Sequence, residues 1–215
     1  MSQVMACIDG SLSSPAVCDY AAWASLRLGA PLTLLHVLDH KQYPPLSNLS
    51  GNIALGSREQ LLQELADLDQ QRSTLALEQG RLALEAAKQR AQRDGVSNPQ
   101  LRQRHGDLVT CLGELEQDIR LLVIGRQGET SDAVSQLVGS HLESVIRTLH
   151  RPILVTPGQF QAPRSLMLAF DGSPTCHKGI DMLAASPLFR GLPIHVLMVG
   201  ADTGPAWEQL KEAEQ

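Results

Sequence analysis

The strongest constraint in this sequence is that it begins twice. Met5-Ala6-Cys7-Ile8-Asp9-Gly10-Ser11 returns as Met167-Leu168-Ala169-Phe170-Asp171-Gly172-Ser173, and Leu35-His36-Val37 returns as Ile194-His195-Val196. A period of roughly 160 residues is far too long for a solenoid unit, and marks two copies of one domain. Residues 1–156 are expected to form a complete domain, 157–164 a linker carrying Pro157, Gly158 and Pro163, and 165–215 an incomplete second domain. The second copy has strand–helix–strand and the start of another helix. Such a piece cannot bury the faces of its own sheet. It is expected to be a fragment, or to lean on the first domain or on another chain.

Within the first copy, short apolar runs alternate with helical periods. Gln3–Asp9 reads as a buried strand stopped by Asp-Gly-Ser. Ser13 or Ser14 can cap the following helix, with Pro15 in its first turn; Val17, Tyr20, Ala21, Ala24 and Leu28 recur at helical spacing up to Gly29. Leu32–Leu38 is continuously apolar, as in a strand covered on both faces. A polar loop over 39–57 leads to a long helix over 58–94, with Leu61, Leu65, Leu68, Leu75, Leu82 and Ala86 expected broadly on one face. The whole set does not keep a strict heptad, which favours a helix laid across a sheet over a coiled coil. Strands near Leu101–Arg104, Leu121–Ile124 and Ile153–Thr156 follow, separated by helices over about 109–116 and 131–149. The alternation predicts an α/β fold, an open five-stranded parallel sheet with helices on both faces, plus a partial second copy.

Composition excludes several classes of function. A net charge of −5 opposes long-range attraction to nucleic acid or to an anionic membrane surface. Aromatics make up 3%, too few for single-strand stacking platforms. No apolar run reaches the ~18–20 residues of a membrane span. Met1–Gly10 has neither a basic segment nor a long apolar one, so a cytoplasmic location is expected. Cys7, Cys18, Cys111 and Cys176 lack CxxC spacing and read as reduced, small hydrophobes. The seven histidines include no HExxH motif, there is no GxSxG elbow, and no metal site or catalytic nucleophile is expected.

The segment with chemical promise is Leu121-Leu122-Val123-Ile124-Gly125-Arg126-Gln127-Gly128, followed after ten residues by Gly139-Ser140-His141. A strand feeds a glycine turn, and Gly-Ser precedes a helical stretch. Glycine admits close approach of backbone to a ligand, and free N–H groups at a helix start favour phosphate. Ser140 adds a hydroxyl donor, Arg126 a cation and His141 a further contact. The competing reading is structural: Gly125 and Gly128 turn the chain and Gly139 permits close helix packing. The loop is neither a Walker A nor a GxGxxG motif. Asp9, at the carboxyl end of the first strand, can accept from an adenine amino group or a ribose hydroxyl, or can simply cap its own Asp-Gly-Ser turn. Val37 can wall a base or pack in the core.

Together these residues resemble the universal stress proteins of the UspA superfamily, in the tandem form. The matching features are Asp9-Gly10-Ser11 after the opening strand, Leu35-His36-Val37-Leu38-Asp39, His105-Gly106-Asp107 before a helix, Leu122-Val123-Ile124-Gly125, and Arg151-Pro152-Ile153-Leu154-Val155. The resemblance implies a Rossmann-like, adenine nucleotide alpha hydrolase-like fold that binds ATP or AMP; Mg²⁺ bridging Glu129 and Asp132 to the phosphates is a separate expectation from their charge. It implies a homodimer formed through the fifth strand. By position, Asp9 and Val37 would face adenine and ribose, while Gly125, Gly128, Gly139 and Ser140 would hold ribose and phosphates. The family pattern Gly-x2-Gly-x9-Gly-Ser/Thr has nine residues where this chain has ten. Glu129 and Asp132 also put negative charge in the loop. The expected role is a non-enzymatic, nucleotide-dependent association protein of the stress response, with slow ATP hydrolysis compatible. The alternative is an interaction module that binds no nucleotide. An enzyme acting on an adenylated substrate is a third, less favoured reading.

Overall fold

The computed structural model describes residues 2–38, 58–126, 140–200 and 203–213. The chain divides into two compact units, one built mainly of residues 1–160 and the other mainly of 161–215.

The first unit is a five-stranded sheet in the order β3-β2-β1-β4-β5, with every neighbouring pair parallel. Its strands are β1 (Gln3–Cys7), β2 (Leu32–Leu38), β3 (Gln100–His105), β4 (Ile119–Gly125) and β5 (Ile153–Thr156). The helices are α1 (Ser14–Leu28), α2 (Arg58–Arg93), α3 (Leu108–Leu115) and α4 (Ser140–Thr148). Strand β1 is central: Val4, Met5 and Ala6 are fully buried. That burial on both faces is why it reads as an unbroken apolar run. On one face Met5, Leu35, Leu122 and Ile124 pack with Leu112 and Leu115 of α3 and Leu142 and Val145 of α4. On the other lie α1 and α2, linked where Cys18 Sγ donates to Ala87 O at 3.1 Å and the Arg90 guanidinium grips the Asp19 carboxylate with two nitrogens.

Two expectations are corrected. Strand β1 ends at Cys7, not Asp9. Ile8 N still donates to Leu35 O at 2.8 Å, but Ile8 O accepts from Nδ1 of the buried His36 at 2.7 Å, and the chain then turns away. The second correction concerns α2. It packs across β2 and β3, but through Ala76, Gly80, Leu84, Ala87 and Ala91. Leu68, Leu75, Leu82 and Ala86 are exposed instead, and Leu65 is half-buried. A helix that lies close on a sheet needs small residues at most of the contact, so Leu84 turns inward among alanines and Gly80 while Leu68, Leu75 and Leu82 turn outward.

The helix expected over 131–149 is described from Ser140 onward; residues 131–139 lie outside the described residues. Helix α3 is capped by Asp107, whose Oδ2 accepts from Thr110 N at 3.0 Å, an ordinary N-cap.

The second unit contains β6 (Leu166–Ala169) parallel to β7 (Ile194–Leu197), with α5 (Pro174–Ala185) and α6 (Gly204–Ala213). It repeats two backbone bonds that frame the opening of the first unit. Leu166 N donates to Pro193 O at 2.9 Å as Val4 N does to Pro31 O, and Phe170 N donates to Leu197 O at 2.8 Å as Ile8 N does to Leu35 O. These ladders correct the sequence register of the second strand. Leu32 corresponds to Ile194 and Leu35 to Leu197, so His195 matches Thr33, not His36. Strand pairing sets the register here, because a slip would turn each side chain to the opposite face.

Candidate nucleotide site

In an open parallel sheet a crevice forms at the carboxyl ends of the strands where the chain order reverses. Here β1 has β2 on one side and β4 on the other, so the reversal lies between β1 and β4. Ala6 pairs with Val123, which carries Asp9 and Arg126 out of the same end of adjoining strands.

The Asp9 turn is tightly determined. Asp9 Oδ1 accepts from Ser11 N at 2.9 Å and from Ser14 Oγ at 2.8 Å. Ser14 Oγ in turn accepts from Gly10 N at 3.0 Å. Gly10 has φ of +82°, a left-handed conformation that strains any residue with a Cβ. The carboxylate therefore does cap its own turn, and that capping fixes its direction at the strand end. Ser14 was expected among the helix caps; its hydroxyl instead bridges Asp9 and Gly10. The signal available in the sequence was a hydroxyl five residues beyond an Asp-Gly pair, which many ordinary turns share.

The same constellation recurs at Asp171, whose Oδ1 accepts from Ser173 N at 2.9 Å. Hydrogen bonds from the Cys176 thiol, and then from Ser173, lower the pKa of Asp171 to about 2.

Beside Asp9, burial first and the neighbouring carboxylate second push the Cys7 thiol up to about 12. A thiolate at this strand end is thereby disfavoured, and Cys7 is not suited to act as a nucleophile.

Val37 is half-buried near the carboxyl end of β2 and packs against the apolar core. His36, one residue earlier, faces the opposite side. Since Ile8 O can only accept, His36 Nδ1 carries a proton. No sequence pattern assigns His36 a role; its contacts with Ile8 and with α2 come only from the packing.

Gly125 is the last residue of β4, paired with Thr156 of β5. Arg126 is exposed, and its backbone N donates to Thr156 O at 3.1 Å. Gly128 and Gly139, with Glu129 and Asp132, lie outside the described residues. Ser140 and His141 are the first two residues of α4, and their side chains lie outside the described residues. The described structure thus brings Asp9, Val37, Gly125 and Arg126 to the carboxyl ends of β1, β2 and β4. Among the described residues no group of three or more His, Cys, Asp or Glu side chains is placed to hold a metal ion. No helix among them is long and apolar enough to cross a membrane.

Comparison with known proteins bears on this arrangement. The model of the universal stress protein family matches residues 1–157. Universal stress protein Slr1230 of Synechocystis is 36% identical over 202 residues, covering 93% of this chain and 70% of its own length. Universal stress protein Rv1996 of Mycobacterium tuberculosis is 28% identical over 105 residues, covering 47% of this chain and 33% of its own length. Among solved structures, a universal stress protein from Archaeoglobus fulgidus superposes with a TM-score of 0.64 at 15% identity, covering 99% of this chain and 72% of that one.

Proposed function

The chain belongs to the universal stress protein family, and from that premise we propose that it binds an adenine nucleotide, ATP or AMP, and acts in stress response through nucleotide-dependent association. The observation that carries the reading is the convergence of Asp9 and Arg126 at the switch point between β1 and β4, where open α/β sheets bind their ligands. In this reading Asp9 and Val37 meet adenine and ribose. Gly125, Arg126, Gly128, Gly139, Ser140 and His141 take the ribose and phosphates. Mg²⁺ would offset the charges of Glu129 and Asp132. Residues 1–156 act as the complete domain and 165–215 as an incomplete second copy. The role is binding and not turnover, with no residue assigned as catalytic base. Four free cysteines suit a reducing cytoplasm.

Homodimerisation through β5 belongs to the same proposal. This strand closes one edge of the sheet and exposes Val155 to 37%. A sheet edge offers backbone N–H and C=O groups to a second copy.

The test has two steps. First, protein purified without added nucleotide is denatured and the released small molecules are identified by mass spectrometry. Second, the folded protein is titrated calorimetrically with Mg-ATP, AMP and adenosine. The expected result is saturable binding of Mg-ATP or AMP. Arg126→Ala is expected to weaken ATP about tenfold, about 1.4 kcal/mol, while leaving adenosine unchanged. An empty protein that titrates with none of the three overturns the reading. It would favour the second one, an interaction module without nucleotide, to which the ten-residue spacing between Gly128 and Gly139 already points.

A further inference from the structure

Helix α2 has 36 residues and is therefore about 54 Å long. Among its described side chains, from residue 63 onward, the first buried one is Ala76. Over residues 63–75 only Leu65 and Asp69 are even half-buried, so that stretch gains little from tertiary packing. A helix without such packing is marginal in water. Yet Leu68, Leu75 and Leu82 follow one another at intervals of seven and are 48%, 64% and 54% exposed. At 100° per residue they form one ridge, set roughly 130° around the helix from the Ala76–Gly80–Leu84–Ala87 contact with the sheet. The ridge extends past the packed half of α2 and along its unsupported half.

We propose that this ridge is a self-association surface, on which α2 pairs antiparallel with α2 of a second copy about an axis at Leu75. The spacing of the leucines and the distribution of charge both select this occupant and this direction. With the axis at Leu75, Leu75 meets the partner's Leu75 and Leu68 meets the partner's Leu82, so the exposed leucines close on one another in three layers. The charges of α2 are segregated along its length. Its first third, residues 58–69, holds Glu59, Glu64, Asp67 and Asp69 against Arg58, and its last third, residues 82–93, holds Lys88, Arg90 and Arg93 against Glu85. Antiparallel pairing lays the acidic part against the basic part. On one edge of the ridge, helical geometry brings Asp67 to the level of the partner's Arg81. Arg81 holds Glu78 of its own helix at 2.7 Å and can still offer nitrogens across the interface. Glu85, the remaining acid on that edge, has Lys88 three residues ahead of it. A parallel pair would match the leucines equally well, but would set acidic part against acidic part. This surface is separate from the β5 edge and does not depend on nucleotide binding.

The test is site-directed crosslinking of the full chain. Leu75→Cys places two thiols at the axis. On mild oxidation it is expected to form covalent dimer at a yield at least tenfold above that of the unaltered chain, whose four cysteines set the background. Leu68→Cys mixed with Leu82→Cys is expected to link, while Leu68→Cys alone is not. Asp67→Arg is expected to lower the Leu75→Cys yield severalfold, and adding Arg81→Asp to restore it. A Leu75→Cys yield at background overturns the proposal. So does Leu68→Cys linking to itself as readily as to Leu82→Cys, or a yield indifferent to both charge changes. Because these leucines are exposed, loss of fold is not expected, and circular dichroism of each variant verifies it.

Discussion

Gly80 of α2 lies directly against the imidazole of His36: a Cβ at position 80 would stand 2.4 Å from His36 Cδ2 and 2.6 Å from Nε2. The ring cannot easily retreat, because its Nδ1 is bonded to Ile8 O at the end of β1. One absent side chain therefore sets how closely the long helix approaches the sheet, and a buried histidine links that helix to the strand that ends in Asp9.

Gly80→Ala is accordingly expected to destabilise the protein. In an open helix the exchange gains about 0.5–1 kcal/mol. Here the overlap with His36 outweighs that gain, and a net loss of about 1–3 kcal/mol is expected, as for other overpacked sites. Urea unfolding should show a lower midpoint at unchanged slope. A midpoint equal to or above that of the parent would mean the helix shifts without cost.

Ser14→Ala removes the hydroxyl that donates to Asp9 and accepts from Gly10 N. The expected cost is about 1–2 kcal/mol, since it leaves a partly buried N–H and a carboxylate each short of one hydrogen bond. The Asp9 turn should also loosen, seen as faster amide exchange at Gly10 and Ser11. Unchanged exchange there would show that the backbone alone holds the turn.

Cys18 should resist thiol reagents. Burial, with Asp19 and Asp94 adding to it, pushes its thiol up to about 12. At pH 8.5 almost none of it is thiolate, and the sulfur is buried against Ala87. Alkylation followed by peptide mass mapping is expected to leave Cys18 unmodified in folded protein and modified after denaturation. Prompt labelling of the folded chain would contradict the packing of α1 against α2.

Asp171 provides a pH prediction. Its pKa is lowered to about 2 by bonds from Cys176 and Ser173, below the ordinary carboxyl value of about 3.9. A depressed carboxyl favours the folded state above the ordinary value, and that contribution fades as pH falls through about 2. The Asp171–Ser173 turn should therefore loosen between about pH 4 and pH 2 as the carboxylate is lost. A carbon-detected titration of Asp171 is the check, and Ser173→Ala is expected to move its midpoint upward. A midpoint already at the ordinary carboxyl value in the parent chain would remove the argument.

The leucines of α2 illustrate how far sequence patterns reach. Seven-residue spacing shows that Leu68, Leu75 and Leu82 share a face, but periodicity does not say whether that face meets the protein or the solvent. The question was decided by distance of approach: the alanines and Gly80 around Leu84 allow the backbone of α2 to come near β2 and β3, and a face made of leucines alone does not. The second strand of the repeat shows the same limit. Similar letters aligned His36 with His195, whereas the hydrogen-bonded register aligns Thr33 with His195.

By itself the sequence determined the alternation of strands and helices, the two copies of the opening motif, and the placing of Asp9 and Gly125 at strand ends. These follow from local rules: apolar runs, turn residues and the obligation of the backbone to satisfy its hydrogen bonds. Tertiary structure alone decided which face of α2 is inward, that Ser14 orients Asp9 instead of capping its own helix, and that His36 joins Ile8 to Gly80. Each of these depends on contacts between segments far apart in the chain or on the geometry of a closed turn, and neither leaves a periodic trace for a single sequence to display.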